Sequence, residues 1–389
     1  MSRPQQKSAA VPSSLRRINR RLILRHMVQV ASAARAQLAE AAGTSCVTAG
    51  KIVDELLEQG VLEEVEAKRQ LVRPGRPGQN LRLNTRLPRF LLVQIGAGHT
   101  RLACVALGAA TETSWTVEIP TPHSGSEWED AVRPAIEKLL PSGGKGIWGV
   151  LVGLPGIVDE EAGHVIFSPN VHWSEGVDFR GLLRGIVNAP VELVQEIRAL
   201  ALGELAASPG KKDFLLVDFG HGVGGATIIS GGLFQSPLPL TGELGHTPVP
   251  ENPRPCGCGA VGCVETLLSR RGLFRSVQEI ESPTGPSRPY AWNVVESHIA
   301  KHGLEPWLVS SLKAGAAAIA GALNSIGLGH VVITGTLSNL PESVRTFFAQ
   351  EIRNGIMWAR FGECTIEFAP RRRMQGLISV GIERLVVSR

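Results

Sequence analysis

The sequence predicts a two-part α/β protein, with a small basic helical head followed by a larger body of strands and helices. Three observations carry that expectation. The chain is 389 residues long, beyond the usual size of a single domain. Its charge is lopsided: residues 1–89 hold 16 Lys+Arg against 7 Asp+Glu, and the remainder holds 24 against 28. From Phe90 onward the texture changes to short apolar runs ending in glycine-rich turns, which is a strand pattern. The boundary is placed to give a head at 1–84 and a body at 85–389.

Hydrophobic content of 43% and charged content of 19% describe an ordinary globular chain. No apolar run approaches the roughly 20 residues that span a bilayer. Residues 1–14 are polar, without the apolar core of a signal peptide. A cytoplasmic location away from membranes is therefore expected. Between Arg3 and Arg35 there are eight basic residues and no acidic one. A basic module on a mildly acidic body points to nucleic acid as partner, a solvated basic tail being the alternative.

The head begins with a helix over Arg16–Val30, whose apolar Ile18, Leu22, Leu24, Met27 and Val28 fall close to one face. A second helix fits Ala33–Ala42 and is broken by Gly43. Thr44 or Ser45 then caps a third, with Val47, Ile52, Val53, Leu56 and Leu57 as its buried positions, ended by Gly60. Two helices joined by a short glycine turn form a helix-turn-helix, although a plain three-helix bundle shares the pattern. In such motifs the start of the second helix enters the major groove. Here it offers Ser45, Cys46, Thr48, Ala49 and Lys51 to operator DNA. Val61–Leu83 reads as a hairpin wing. At its tip, Arg73 and Arg76 in RPGRPG suit a narrow minor groove, whose negative potential attracts arginine. A Pro/Gly linker explains the tip equally well.

In the body, Phe90–Leu107 reads as two strands joined through Gly96-Ala-Gly98. Phe214–Leu233 repeats the pattern through Gly222-Val-Gly-Gly225. Two such units suggest a duplicated α/β domain with a cleft between its halves. Glycine loops after strands can cradle phosphate, but they also serve as simple turns. The sharpest local signal is GELGH (242–246) followed by CGCGAVGCVE (256–265). His246, Cys256, Cys258 and Cys263 make a complete tetrahedral set for Zn²⁺, and four protein ligands leave no open position, so the metal is expected to be structural. Free reduced cysteines, or a fourth ligand other than His246, are the alternatives.

Together LRRINRRLILRHM, AQLAEAAGTSCVTAGKIVDELLEQGVL, GRPG, GELGH and CGCGAVGCVE resemble the ROK family of repressors, open reading frames and sugar kinases. They are similar above all to its sugar-responsive repressors of the xylose and N-acetylglucosamine type. The resemblance covers nearly the whole chain and implies a winged helix-turn-helix on an actin-like, sugar-kinase-like pair of α/β lobes, with Gly335 in a second nucleotide-pocket loop. It implies a sugar site at Glu243, His246 and Glu265, with Asn170 in the SPN turn. His246 would offer one ring nitrogen to zinc and the other to a sugar hydroxyl. Gln195-Glu196 stand where the kinases carry Asn-Asp, so Glu196 occupies the general-base position with an added methylene. The first phosphate loop is Gln94-Ile-Gly-Ala-Gly98, without the kinases' acidic residue and threonine. The second has Gly220-His-Gly222 in place of Gly-Thr-Gly.

Phosphoryl transfer rests on positioning and charge neutralisation, so three departures together predict that it is lost. The expectation is a regulator, by resemblance a repressor, binding operator DNA as a homodimer or tetramer and answering to a sugar or sugar derivative. An active sugar kinase with an appended DNA-binding head is the alternative.

Overall fold

The structure, a computed structural model, describes residues 12–66, 79–109, 115–140, 144–208, 210–236, 238, 240–282 and 289–387. The head opens with α1 (Pro12–Gln29), β1 (Ala33–Ala34), α2 (Arg35–Ala41) and α3 (Cys46–Glu58). Ser45 caps α3, its hydroxyl accepting from Thr48 N at 3.2 Å, and Gly43 and Gly60 take positive φ at the breaks before and after it. The antiparallel hairpin β2 (Leu62–Glu66) and β3 (Gln79–Leu83) follows, with Leu62 opposite Leu83, and β1 completes a sheet ordered β1-β3-β2. The expected hairpin is present. Its tip, with Arg73 and Arg76, lies outside the described residues.

Burial corrects three positions of the helical pattern. Ile23, Leu24 and Met27 form the buried face of α1, whereas Ile18 and Leu22 face outward. Val47 is exposed on α3, and Ala49 is buried. The expected stripes were rotated because a short amphipathic helix admits several registers.

The body contains two sheets of one plan. The meander β4 (Pro88–Ile95), β5 (His99–Ala106) and β6 (Val117–Pro120) leads through α4 (Gly125–Leu139) to β7 (Gly149–Leu154). A small hairpin, β8 (Ile157–Asp159) and β9 (His164–Phe167), and α5 (Phe179–Arg184) precede β10 (Val191–Gln195). The order is β10-β7-β4-β5-β6, with β7 and β10 continuing parallel from β4. α6 (Glu196–Ala207) leads to β11 (Phe214–Phe219), β12 (Val223–Ile229) and β13 (Gly232–Leu233). Then come α7 (Glu265–Leu268), α8 (Arg270–Glu281), α9 (Trp292–His302), α10 (Pro306–Ile326), β14 (His330–Gly335), α11 (Glu342–Gly355) and β15 (Thr365–Phe368). The second order, β13-β12-β11-β14-β15, matches the first strand for strand. This is the internal repetition that the paired strand–glycine segments predicted. α12 (Arg373–Gly381) follows and runs into a π-helical turn, Ile382–Val386.

The central strands are covered on both faces, so β7 reads as an unbroken apolar run and β4 as one from Phe90 to Val93. Trp128 on α4 is fully buried and gives its indole N–H to Thr100 at 3.0 Å, which makes it a core residue. α10 has the length and apolarity to cross a bilayer, more than the sequence reading allowed. One face of it, with Leu308, Leu312, Ile319 and Leu323, is buried in the core beside the second sheet. The core of the head is continuous with that of the body: Leu24, Met27, Val53 and Leu56 share one apolar cluster with Phe90, Leu377, Val380 and Val386. The 84/85 boundary therefore falls within continuous packing.

Candidate metal centre and ligand cleft

The metal centre is built on a loop that only glycine permits. Gly242 adopts φ +77°, and a Cβ there would lie 1.8 Å from the Gly225 carbonyl oxygen. Strand β12 thus holds the GELGH turn against the second sheet. The cysteine loop folds back on itself as Cys256 N donates to Ala260 O at 2.8 Å and Gly259 N to Cys256 O at 3.0 Å. These turns gather four donor atoms, of His246, Cys256, Cys258 and Cys263, within 4.8 Å of one another. Cys256 Sγ stands 3.6 Å from His246 Nδ1, and Cys258 Sγ stands 3.8 Å from Cys263 Sγ. A tetrahedral zinc with Zn–S near 2.3 Å and Zn–N near 2.0 Å has edges of roughly 3.8 Å (S to S) and roughly 3.6 Å (N to S). The donor set fits such an ion. Burial first, and then the neighbouring Cys258 and Cys263 thiols and the Glu265 carboxylate, push the Cys256 thiol up to about 12, so a cation is what would hold it as thiolate.

The other ring nitrogen of the same imidazole turns to a carboxylate. His246 Nε2 is 3.6 Å from Glu243 Oε2. Glu265 faces both ways: Oε1 lies 3.8 Å from Cys256 Sγ, and Oε2 accepts from Val223 N at 2.8 Å. A Cβ on Gly222 would stand 2.7 Å from Glu265 Oε2 and 3.8 Å from Asn170 Nδ2. Asn170 and Glu265 are therefore brought together beside Gly222, while Glu243 and His246 of the GELGH turn approach Glu265 by charge and through Cys256. Burial raises the Glu243 carboxyl, with His246 opposing and Glu265 reinforcing the rise.

Gln195 and Glu196 lie at the junction of β10 and α6. Gln195 is buried, and its main-chain N–H donates to Glu160 Oε1 at 2.9 Å. Glu196 Oε1 receives Arg373 Nε at 2.5 Å, an ion pair that the sequence reading did not foresee. Next to it, Arg371 grips Asp218 through two bonds of 2.6 and 2.8 Å and also donates to the Phe219 carbonyl at 3.0 Å. A Cβ on Gly335 would lie 2.6 Å from Arg371 Nη2, and one on Gly220 2.5 Å from it. The guanidinium thus fills the space between the two glycine loops. His221 between them is held below the usual imidazole range, mainly by burial and then by Arg270 and Arg271. Gln94 is buried, its amide nitrogen turned onto the Ile95 carbonyl at 3.2 Å. The Arg371-Arg372-Arg373 triplet after β15 was the sequence signal that could have pointed to this cluster.

On α3, Ser45, Cys46, Thr48 and Lys51 are exposed, and Val47 joins them. Ala49 is withdrawn into the core at 0% exposure and cannot meet a base edge. A cavity of about 780 Å³ lies between Phe234, Ser236, Leu240 and Thr241 on one side and the Ala/Gly face of α10 on the other, with Glu243 in its lining.

With this geometry in hand, comparison with known proteins is direct. The chain matches the ROK family over residues 92–376 and belongs to it. Within that family it is similar to the xylose repressor of Caldicellulosiruptor bescii, with 27% identity over 290 residues, 72% of this chain and 71% of that one. It is also similar to a glucokinase of Halalkalibacterium halodurans, 28% identical over 49% of this chain and 59% of that one. Among solved structures, a ROK family transcriptional regulator homologous to the Escherichia coli MLC protein shares the fold at TM-score 0.76 and 19% identity, covering 96% of this chain and 98% of that one. A ROK family glucokinase from Streptomyces griseus, in complex with glucose and AMPPNP, follows at TM-score 0.59 and 23% identity, covering 75% of this chain and 97% of that one.

Proposed function

We propose that this ROK protein is a DNA-binding transcriptional regulator, a repressor by analogy with its relatives, whose operator affinity is set by a sugar or sugar derivative in the cleft. Residues 1–84 act as a winged helix-turn-helix with β2–β3 as the wing, and residues 85–389 as a two-lobed, actin-like sugar-binding body. Ser45, Cys46, Thr48 and Lys51 face the major groove, and Arg73 and Arg76 the minor groove. Zinc, held by His246, Cys256, Cys258 and Cys263, orients the imidazole and with it the sugar contacts Asn170, Glu243 and Glu265, with Gln195 and Glu196 beside them. The protein works in the cytoplasm, as a homodimer or a tetramer.

The observation that carries this reading is a preserved polar cleft beside a blocked phosphate region. Asn170, Glu243, His246 and Glu265 converge, while Arg373 engages Glu196 and Arg371 occupies the space between the glycine loops. A general base must be free to take the substrate's proton, and Glu196 already serves an arginine. Phosphoryl transfer is therefore lost and sugar recognition kept. Calorimetry with D-xylose, D-glucose and N-acetylmannosamine, run beside an ATP-consumption assay on the same sugars, tests this. Binding of one sugar without turnover is expected; sugar-dependent ATP consumption that Glu196→Gln abolishes would make the chain a kinase.

A further inference from the structure

Between the cleft and the head lies one continuous element, α12 with its π-helical turn. Its first residues are fastened to α6, which starts at Glu196: Arg373 pairs with Glu196 at 2.5 Å, and Arg372 with Glu204 at 3.2 Å. The two helices touch backbone to backbone. A Cβ on Gly376 would come within 1.7 Å of the Ala199 carbonyl oxygen, and one on Gly203 within 2.0 Å of the Arg372 carbonyl oxygen. Helices this close shift together, because no side-chain layer can absorb the movement.

The far end divides between two partners. Arg384 pairs with Glu160, whose other oxygen accepts from Gln195 N at 2.9 Å, and with Glu192 at 3.2 Å. The preceding residue, Glu383, turns to the head and meets Arg21 at 2.5 Å and Arg25 at 3.3 Å on α1. Arg20, buried on the same helix, donates to the Val386 carbonyl at 3.1 Å and to Gln59 Oε1, at the end of α3, at 2.6 Å. Neighbouring residues of a regular α-helix also diverge, but here the widened turn sets Glu383 toward the head and Arg384 toward Glu160 and Glu192. π-Turns are uncommon and recur at functional positions.

We propose that α12 and the turn Ile382–Val386 are the coupling element of the regulator. Glu160, Arg373 and Arg384 are positioning residues that read the Gln195-Glu196 junction, and Glu383 is the contact that hands its displacement to α1. The inference rests on the regulatory reading above. A sugar that draws Gln195 or Glu196 toward itself shifts α6 and α12 as one body, and the Glu383–Arg21/Arg25 contact carries that shift to the helix supporting α3.

The test compares the full-length wild type with Glu383→Gln and Glu383→Lys. It uses D-xylose, D-glucose and N-acetylmannosamine as ligands and a duplex selected from random-sequence DNA by the wild type. Glu383 contacts neither cleft nor DNA, so both variants keep sugar affinity within about twofold of wild type. The sugar-induced change in duplex affinity, commonly about 5- to 150-fold in coupled systems, falls at least about threefold in the glutamine variant and further in the lysine variant. Hydrogen exchange across α1 changes on sugar addition in wild type and ceases to change in the variants. Full retention of the sugar response in both variants overturns the coupling element and leaves the regulatory reading intact. Absence of any sugar response in wild type overturns the regulatory reading, and this proposal with it.

Discussion

Replacing Cys256 by serine removes one of four ligands from the candidate metal centre, and the structure sets the size of the effect. Cys256 Sγ is the donor that stands 3.6 Å from His246 Nδ1 and 3.8 Å from Glu265 Oε1. On the proposed function, a metal held there would orient both His246 and Glu265. A hydroxyl is a poor zinc ligand at neutral pH, so the variant should fall well below the roughly one zinc per chain expected for a four-ligand site. Without the ion the imidazole is free to turn, and the sugar loses a charge-assisted hydrogen bond of about 1.5–3 kcal/mol, roughly 10- to 150-fold in Kd. Metal analysis and calorimetry on Cys256→Ser measure both quantities. Cys364→Ser is the control, since that thiol lies outside the cluster. Because the thiols must lose protons to bind, metal affinity should also weaken as pH falls. A Cys256→Ser protein that retained full zinc and bound sugar as wild type does would refute the claim that the metal organises the cleft.

Other outcomes follow from single contacts. Arg371→Met leaves Asp218 largely buried without its partner and should cost about 3–5 kcal/mol of stability, as for a broken buried pair, measured by urea unfolding. His298 is buried; burial pulls its pKa down, but the hydrogen bonds it donates to Glu305 at 2.6 Å and Glu281 at 3.0 Å outweigh that and hold it above the usual value. A raised folded pKa means that its contribution is fully present below the unfolded value of about 6.5 and fades as pH rises through the folded value. The stability gap between wild type and His298→Gln should accordingly shrink on going from pH 6 to pH 9. Lys51→Ala should weaken duplex binding across sequences and lower the salt slope by about one charge if the lysine meets a phosphate. Ala49→Leu should instead destabilise the head by about 1–3 kcal/mol through overpacking, visible as a lower melting temperature before any DNA is added.

The contrast between Lys51 and Ala49 shows where sequence reading succeeded and where it stopped. Thr44 or Ser45 announced the helix start because capping is a local property of a hydroxyl and the following N–H groups, and Ser45 is the one that forms the cap. Which residues of α3 face out depends on how the helix rolls against α1 and β3, so Ala49 was assigned to DNA and Val47 to the core, and burial reverses both. The metal residues were legible because four soft donors within 18 residues carry their own chemistry, and the structure gathers all four. Asn170 and Glu265 are far apart in sequence and could be joined only through resemblance, yet Gly222 stands against both. What was not legible is what depends on long-range pairing. Arg373 lies 177 residues from Glu196, and Arg384 lies 224 from Glu160. No local pattern ties such partners, and an arginine triplet reads first as solvated surface. The packing of α12 under the head was hidden for the same reason, since apolar Leu377 and Val386 look alike whichever neighbour covers them.

The central claim is that sugar in the cleft changes the grip on DNA. Its most direct measurement is a fluorescence anisotropy titration of the purified full-length protein on its selected duplex at fixed salt, with and without D-xylose, D-glucose and N-acetylmannosamine. The account predicts that at least one sugar shifts duplex affinity by about fivefold or more without ATP, and that Glu243→Gln abolishes the shift while sparing binding to sugar-free DNA. Identical titration curves with and without every sugar, from a protein that calorimetry shows to be sugar-bound, would contradict it.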